Sequence, residues 1–208
     1  MTVLNLGTIA AVADDAFEST TGDCQTNVSG SVANVDNVDE WNGFRWDNVT
    51  VPAGATINSC TLSVMPNTTG NDEPFVDIAF EAADDAAQYL DDGTNNFNIS
   101  GRSYNASPVR WDNSDLGADG ATYFSPPDLA AQLQATIDRA GWASGQAVAL
   151  AYHQPSTSAT RDLGVIHNVG AGTNCATLDI DYTAGGDPEG RLIGGKLIRG
   201  GLLQGGVL

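Results

Sequence analysis

Residues 48–57 read Asn48-Val-Thr-Val-Pro-Ala-Gly-Ala-Thr-Ile57, two β-prone segments joined by a proline and a glycine. Pro52 fixes φ and offers no amide hydrogen, and Gly54 supplies the turn conformation that side chains resist, so an extended strand ends here and reverses. On either side, Trp41–Val51 and Ile57–Met65 alternate apolar with polar residues. That period of two belongs to a strand with one face in a core. Similar runs recur at Val3–Leu6, Asn27–Ala33, Phe75–Ala82, Pro108–Trp111, Ala147–Tyr152, Leu163–His167 and Ala176–Tyr182, separated by Gly, Asn, Asp and Pro clusters. The pattern predicts an all-β antiparallel sandwich. One segment has another period: Leu129, Leu133 and Ile137 stand at i, i+4 and i+8 between Pro126-Pro127 and Gly141. It predicts one short α-helix, expected to cover an open end of the sandwich.

The chain has 208 residues, which suits one domain over 1–186 and an extension over 187–208. Acids outnumber bases 26 to 8, for a formal charge of -18, and this argues against a nucleic-acid partner. The single lysine, Lys196, and the excess of Asp over Glu suit a protein held soluble where salt screens self-repulsion. No apolar run reaches the ~18 residues of a membrane span. Met1–Ala13 lacks the positively charged start of an export signal, so the expected route out of a cell is lysis.

Catalytic signatures are scarce, and no catalytic or metal-ligating residue is assigned. His153 and His167 have no Cys or His at metal-ligand spacing. Gly190-Arg-Leu-Ile-Gly-Gly-Lys196 imitates a phosphate loop, but Leu197 stands where Ser or Thr should hold magnesium. No cofactor is expected. Asp14-Asp15, Asp84-Asp85 and Asp91-Asp92 keep calcium open as an alternative to plain solvated acids. Cys24, Cys60 and Cys175 follow no zinc or redox spacing; a Cys60–Cys175 disulfide and buried free thiols both fit. Trp41, Trp46, Trp111 and Trp142 read first as core rings, with sugar stacking as the alternative.

The last 18 residues break every strand pattern. Leu192-Ile193, Leu197-Ile198, Leu202-Leu203 and Val207-Leu208 recur at five-residue spacing between glycines. Arg191, Lys196 and Arg199 bring this segment to +3 with no acid, leaving -21 on the rest of the chain. Six glycines make free ordering costly, at about 1–2 kcal/mol of backbone entropy per residue. A docking segment is the reading, with Leu192, Ile193, Lys196, Leu197, Ile198, Arg199, Leu202, Leu203, Val207 and Leu208 as its partner-contacting residues. A tail folded onto its own domain is the alternative.

Several ordered stretches carry a resemblance. They are Ala13-Asp-Asp-Ala-Phe-Glu18, Gly43-Phe-Arg-Trp46 with Val49–Ile57, Phe80-Glu-Ala-Ala-Asp-Asp-Ala-Ala87, Ile99-Ser-Gly-Arg-Ser103 ahead of Val109-Arg-Trp111, Pro127-Asp-Leu129, Gly141-Trp-Ala-Ser-Gly145 with Ala147-Val-Ala-Leu150, and Leu178-Asp-Ile-Asp-Tyr182. From Ala13 to Tyr182 the chain resembles a β-sandwich module of phage virion proteins and secreted bacterial proteins, and is similar to disaggregatase-related carbohydrate-binding modules. The resemblance implies a jelly-roll-like sandwich. Fold alone does not fix activity, and the missing export signal and the C-terminal segment favour the phage branch. The expected function is then a non-enzymatic virion structural protein, a head decoration (cement) or tail or fibre component, made in the host cytoplasm. Its expected partners are other virion proteins and itself, with a homotrimer as one closed form. The alternative is a carbohydrate-binding adhesion module for a host glycan.

Overall fold

The computed structural model describes residues 2–9, 11–26, 31–35, 40–66, 74–91, 93, 96–113, 122–155, 163–167 and 174–185. The segment 187–208, with every docking residue assigned to it above, lies outside this set. In chain order the elements are β1 (Thr2–Thr8), a 3-10 turn (Val12–Asp14), β2 (Asp15–Glu18), β3 (Cys24–Gln25), β4 (Ser31–Val35), β5 (Trp41–Val49), β6 (Thr56–Ser63), β7 (Phe75–Phe80), β8 (Val109–Asp112), α1 (Ala130–Ile137), β9 (Gln146–His153), β10 (Leu163–His167) and β11 (Thr177–Thr183). The strands form a three-stranded sheet, β1-β11-β6, a six-stranded sheet, β3-β2-β5-β9-β7-β8, and a separate pair, β10-β4. All pairings are antiparallel.

The protein is an all-β sandwich, with one short α-helix among the described residues. Leu62, Leu178 and Ile180 of the three-stranded sheet share one buried cluster with Phe44, Leu150 and Ile78 of the six-stranded sheet. Alternation in β11 is regular, with Leu178, Ile180 and Tyr182 inward and the acids Asp179 and Asp181 on the other face. One irregularity keeps the inward residues of β5 in phase. The β5–β9 register shifts between Trp46 and Val49, where Asn48 adopts φ +50 and lets Val49 return to the core. The turn after β5 closes where the Ala55 amide donates to the Pro52 carbonyl at 3.2 Å, with Gly54 at φ +72, as the Pro-Ala-Gly stretch requires.

The helix buries Leu133 and Ile137, with Leu129 just ahead of it, but its place differs from expectation. It lies along the free edge of β6 and does not cap the strand ends. The Cys60 amide donates to Asp128 Oδ1 at 2.7 Å, the Leu129 amide donates to the Cys60 carbonyl at 2.9 Å, and the Ile57 amide donates to Gln134 Oε1 at 2.7 Å. An edge strand exposes a row of unpaired groups that invites foreign pairing; here the helix and its leader satisfy them. On its other side the buried Gln132 takes the Phe80 amide at 3.3 Å and donates to the carbonyls of Ala106 and Ser107. The helix thus joins the two sheets.

Candidate functional site

β9 is buried on both faces. Val148, Leu150 and Tyr152 point into the sandwich, and Ala147, Ala149 and Ala151 point outward yet are almost fully covered. The cover is the connection between β7 and β8, which crosses the outer face of the six-stranded sheet and forms no regular element among its described residues. Small residues make this fit. Gly43 pairs with Ala151, and Ala151 with Ala79, so the floor is nearly flat. A Cβ on Gly43 would lie 2.5 Å from the Tyr89 ring. Tyr89, Ile99 and Ala86 close over the floor as a second apolar cluster.

Polar side chains pin this cover. Glu18 accepts the amides of Ile99 at 2.6 Å and Ser100 at 3.2 Å. Arg45 pairs with Asp14 at 2.6 Å and donates to the Ala86 carbonyl at 2.7 Å. Asp85 accepts the Ala147 amide at 2.8 Å. Arg102 is the central pin: it donates to the carbonyls of Asn98, Ala87 and Gln88 and to Glu81, 2.8 Å away, while lying 4.2 Å from the centre of the Tyr89 ring. Burial pushes the Tyr89 and Tyr104 hydroxyls far above the usual phenol range. Both stay neutral donors, Tyr104 to the Ile99 carbonyl at 2.7 Å.

Where the cover stops, a pocket of about 160 Å³ opens, lined by Trp41, Asp77, Ala79, Tyr104, Asn105, Pro108, Ala151 and His153. A single six-membered ring fits such a volume. Trp41 and His153 face each other across β5 and β9 and stack at 3.9 Å and 15°. Tyr104 lies 5.6 Å from Trp41 at 23°. On the other side of His153 stands Asp77, held by Arg110 through contacts of 2.5 and 3.2 Å. His153 Nδ1 is 3.1 Å from the Gln154 carbonyl. A carbonyl only accepts, so Nδ1 carries the hydrogen and the neutral ring keeps Nε2 as an acceptor. Burial lowers the His153 pKa below 6.5 and favours that neutral form. The site offers aromatic surface, an apolar floor and acceptor groups, which suits holding a neutral ring with a hydroxyl edge.

The sequence-assigned residues distribute as follows. Trp46, Trp111 and Trp142 are core rings, so Trp111 drops out as a sugar contact, and Trp41 is the half-buried one. Of the acidic pairs, Asp14 meets Arg45, Asp84 meets Arg139, Asp85 holds an amide and Asp91 accepts the Thr26 amide, while Asp92 lies outside the described residues. Among the described residues no group of three His, Cys, Asp or Glu could hold a metal ion. All three cysteines are buried thiols outside any disulfide, and Cys60 faces Ile180 across the sheet, not Cys175. Burial and the Glu18 carboxylate push the Cys24 thiol up to about 12. His153, Tyr104 and Asp77 were not paired with Trp41 in the sequence reading, because strand register brings the first and last to it and the β7–β8 connection delivers Tyr104. Compared with known proteins, the chain matches no family model and no curated protein.

Proposed function

We propose that the chain is a non-catalytic structural protein of a bacteriophage particle, a head decoration or a tail or fibre component, which docks onto other particle proteins through residues 191–208. The carrying observation is the division of charge, +3 on that apolar segment against -21 on the rest. Each fully buried aliphatic side chain contributes about 1.5–3 kcal/mol, and eight such side chains offset part of the ordering cost of a glycine-rich strap. A sandwich with a covered sheet face and a satisfied β6 edge suits a part that must not pair at random. The test is removal of residues 191–208. The shortened protein should keep its β-sheet circular dichroism and lose incorporation into particles; a shortened protein that still incorporates overturns the proposal.

A second reading, adhesion through a glycan, is favoured by one observation: the half-buried Trp41 stands at a ring-sized pocket with acceptor groups. Saturable binding on a glycan array, removed by Trp41→Ala, supports it. Binding that survives this substitution places any glycan elsewhere.

A further inference from the structure

Three large apolar residues lie exposed around one corner of the cover: Leu90 at 58%, Phe97 at 51% and Val12 at 40%. Local bonds bring them together. The Leu90 amide donates to Asn98 Oδ1 at 2.9 Å, and Asn96 donates back to the Leu90 carbonyl at 3.2 Å, so Leu90 is tied to both chain neighbours of Phe97. The Tyr89 amide donates to the Ala13 carbonyl, which brings in Val12. Phe97 adopts φ +48, a conformation that a bulky residue rarely takes. Its ring lies over Gly22, where a Cβ would come within 2.6 Å of it. One part of this phenylalanine packs on Gly22 and its backbone is bonded to Gly22 and Gly101, while half of its surface faces water.

We propose that Leu90, Phe97 and Val12 form the receptor for the C-terminal segment 191–208 of a neighbouring copy of this chain. The inference rests on the docking role given above to that segment. Charge selects the occupant. Asp23 and Asp91 flank the patch, and each of the four arginines among the described residues is already paired with an acid. Two copies meeting patch to patch would bring these acids against each other. The segment 191–208 has the complementary make-up, with apolar pairs, three cations and no acid.

The test places p-benzoylphenylalanine at Phe97 in the full-length chain, with equal amounts of ¹⁴N- and ¹⁵N-labelled protein, irradiated both free and in assembled particles. Mass spectrometry after proteolysis should find adducts to peptides from 191–208, with mixed-isotope pairs among them. Adding Leu90→Glu should lower their yield about tenfold. Adducts confined to other segments or to the same copy, an unchanged yield in the Leu90→Glu protein, or no adduct each overturn the receptor. None of those results bears on particle incorporation of the shortened chain, so the receptor and the strap fail separately.

Discussion

Replacing Arg102 by Met should release the cover from the sheet. Arg102 and Glu81 are 2.8 Å apart with side chains only 11% and 14% exposed. The substitution leaves that carboxylate and the carbonyls of Asn98, Ala87 and Gln88 without this donor. Removing one partner of a buried pair costs about 3–5 kcal/mol, a large share of the ~5–15 kcal/mol that holds a domain folded. Arg102→Lys keeps the charge but offers fewer donors, and should lose roughly half as much. Urea unfolding followed by tryptophan fluorescence measures the loss. Hydrogen exchange at the Ile99 and Ser100 amides, both held by Glu18, reports whether the cover opens before the sandwich. A loss below about 1 kcal/mol, the value of a solvent-exposed pair, with unchanged exchange would refute this account of the pin.

Gly43→Ala should destabilise by about 1–3 kcal/mol, because its Cβ would meet the Tyr89 ring at 2.5 Å; a neutral effect in urea unfolding would mean that the ring yields freely. Thiol titration should find fewer reactive groups in the native protein than the three released in denaturant, since Cys24, Cys60 and Cys175 are all buried; full native reactivity would contradict this. The folded pKa of His153 lies below 6.5, with Asp77 and Arg110 acting on it in opposite senses. The unfolded chain therefore binds the proton first as pH falls, and the stability present above about 6.5 is withdrawn as pH drops toward the lowered folded value. His153→Gln should flatten that part of the stability–pH curve, and an identical slope would exclude the histidine as its source.

The sandwich was legible where one strand face meets water. Asp179 and Asp181 alternating with Leu178, Ile180 and Tyr182 leave little choice for β11. β2 escaped notice because it is short and buries Asp15 and Glu18, acids whose role depends on partners far along the chain. The helix was visible from its period, but its seat was not, since that depends on Gln134 and Asp128 finding β6 amides. The alanines of β9 read as a plain apolar strand, and nothing in their spacing announces a second layer outside the sheet. The pocket was legible only as separate residues, one tryptophan at the start of β5 and one histidine at the end of β9.

The internal commitment of the arginines bears on how the folded unit answers to its medium. Arg45, Arg102, Arg110 and Arg139 are each neutralised within the chain, and with 26 acids against 8 bases the surplus acids repel one another. Added electrolyte shortens the reach of that repulsion, to about 10 Å at 0.1 M, while the shielded pairs Arg45–Asp14 and Arg102–Glu81 feel little of it. The thermal midpoint should therefore climb with ionic strength, placing this fold among those that brine hardens.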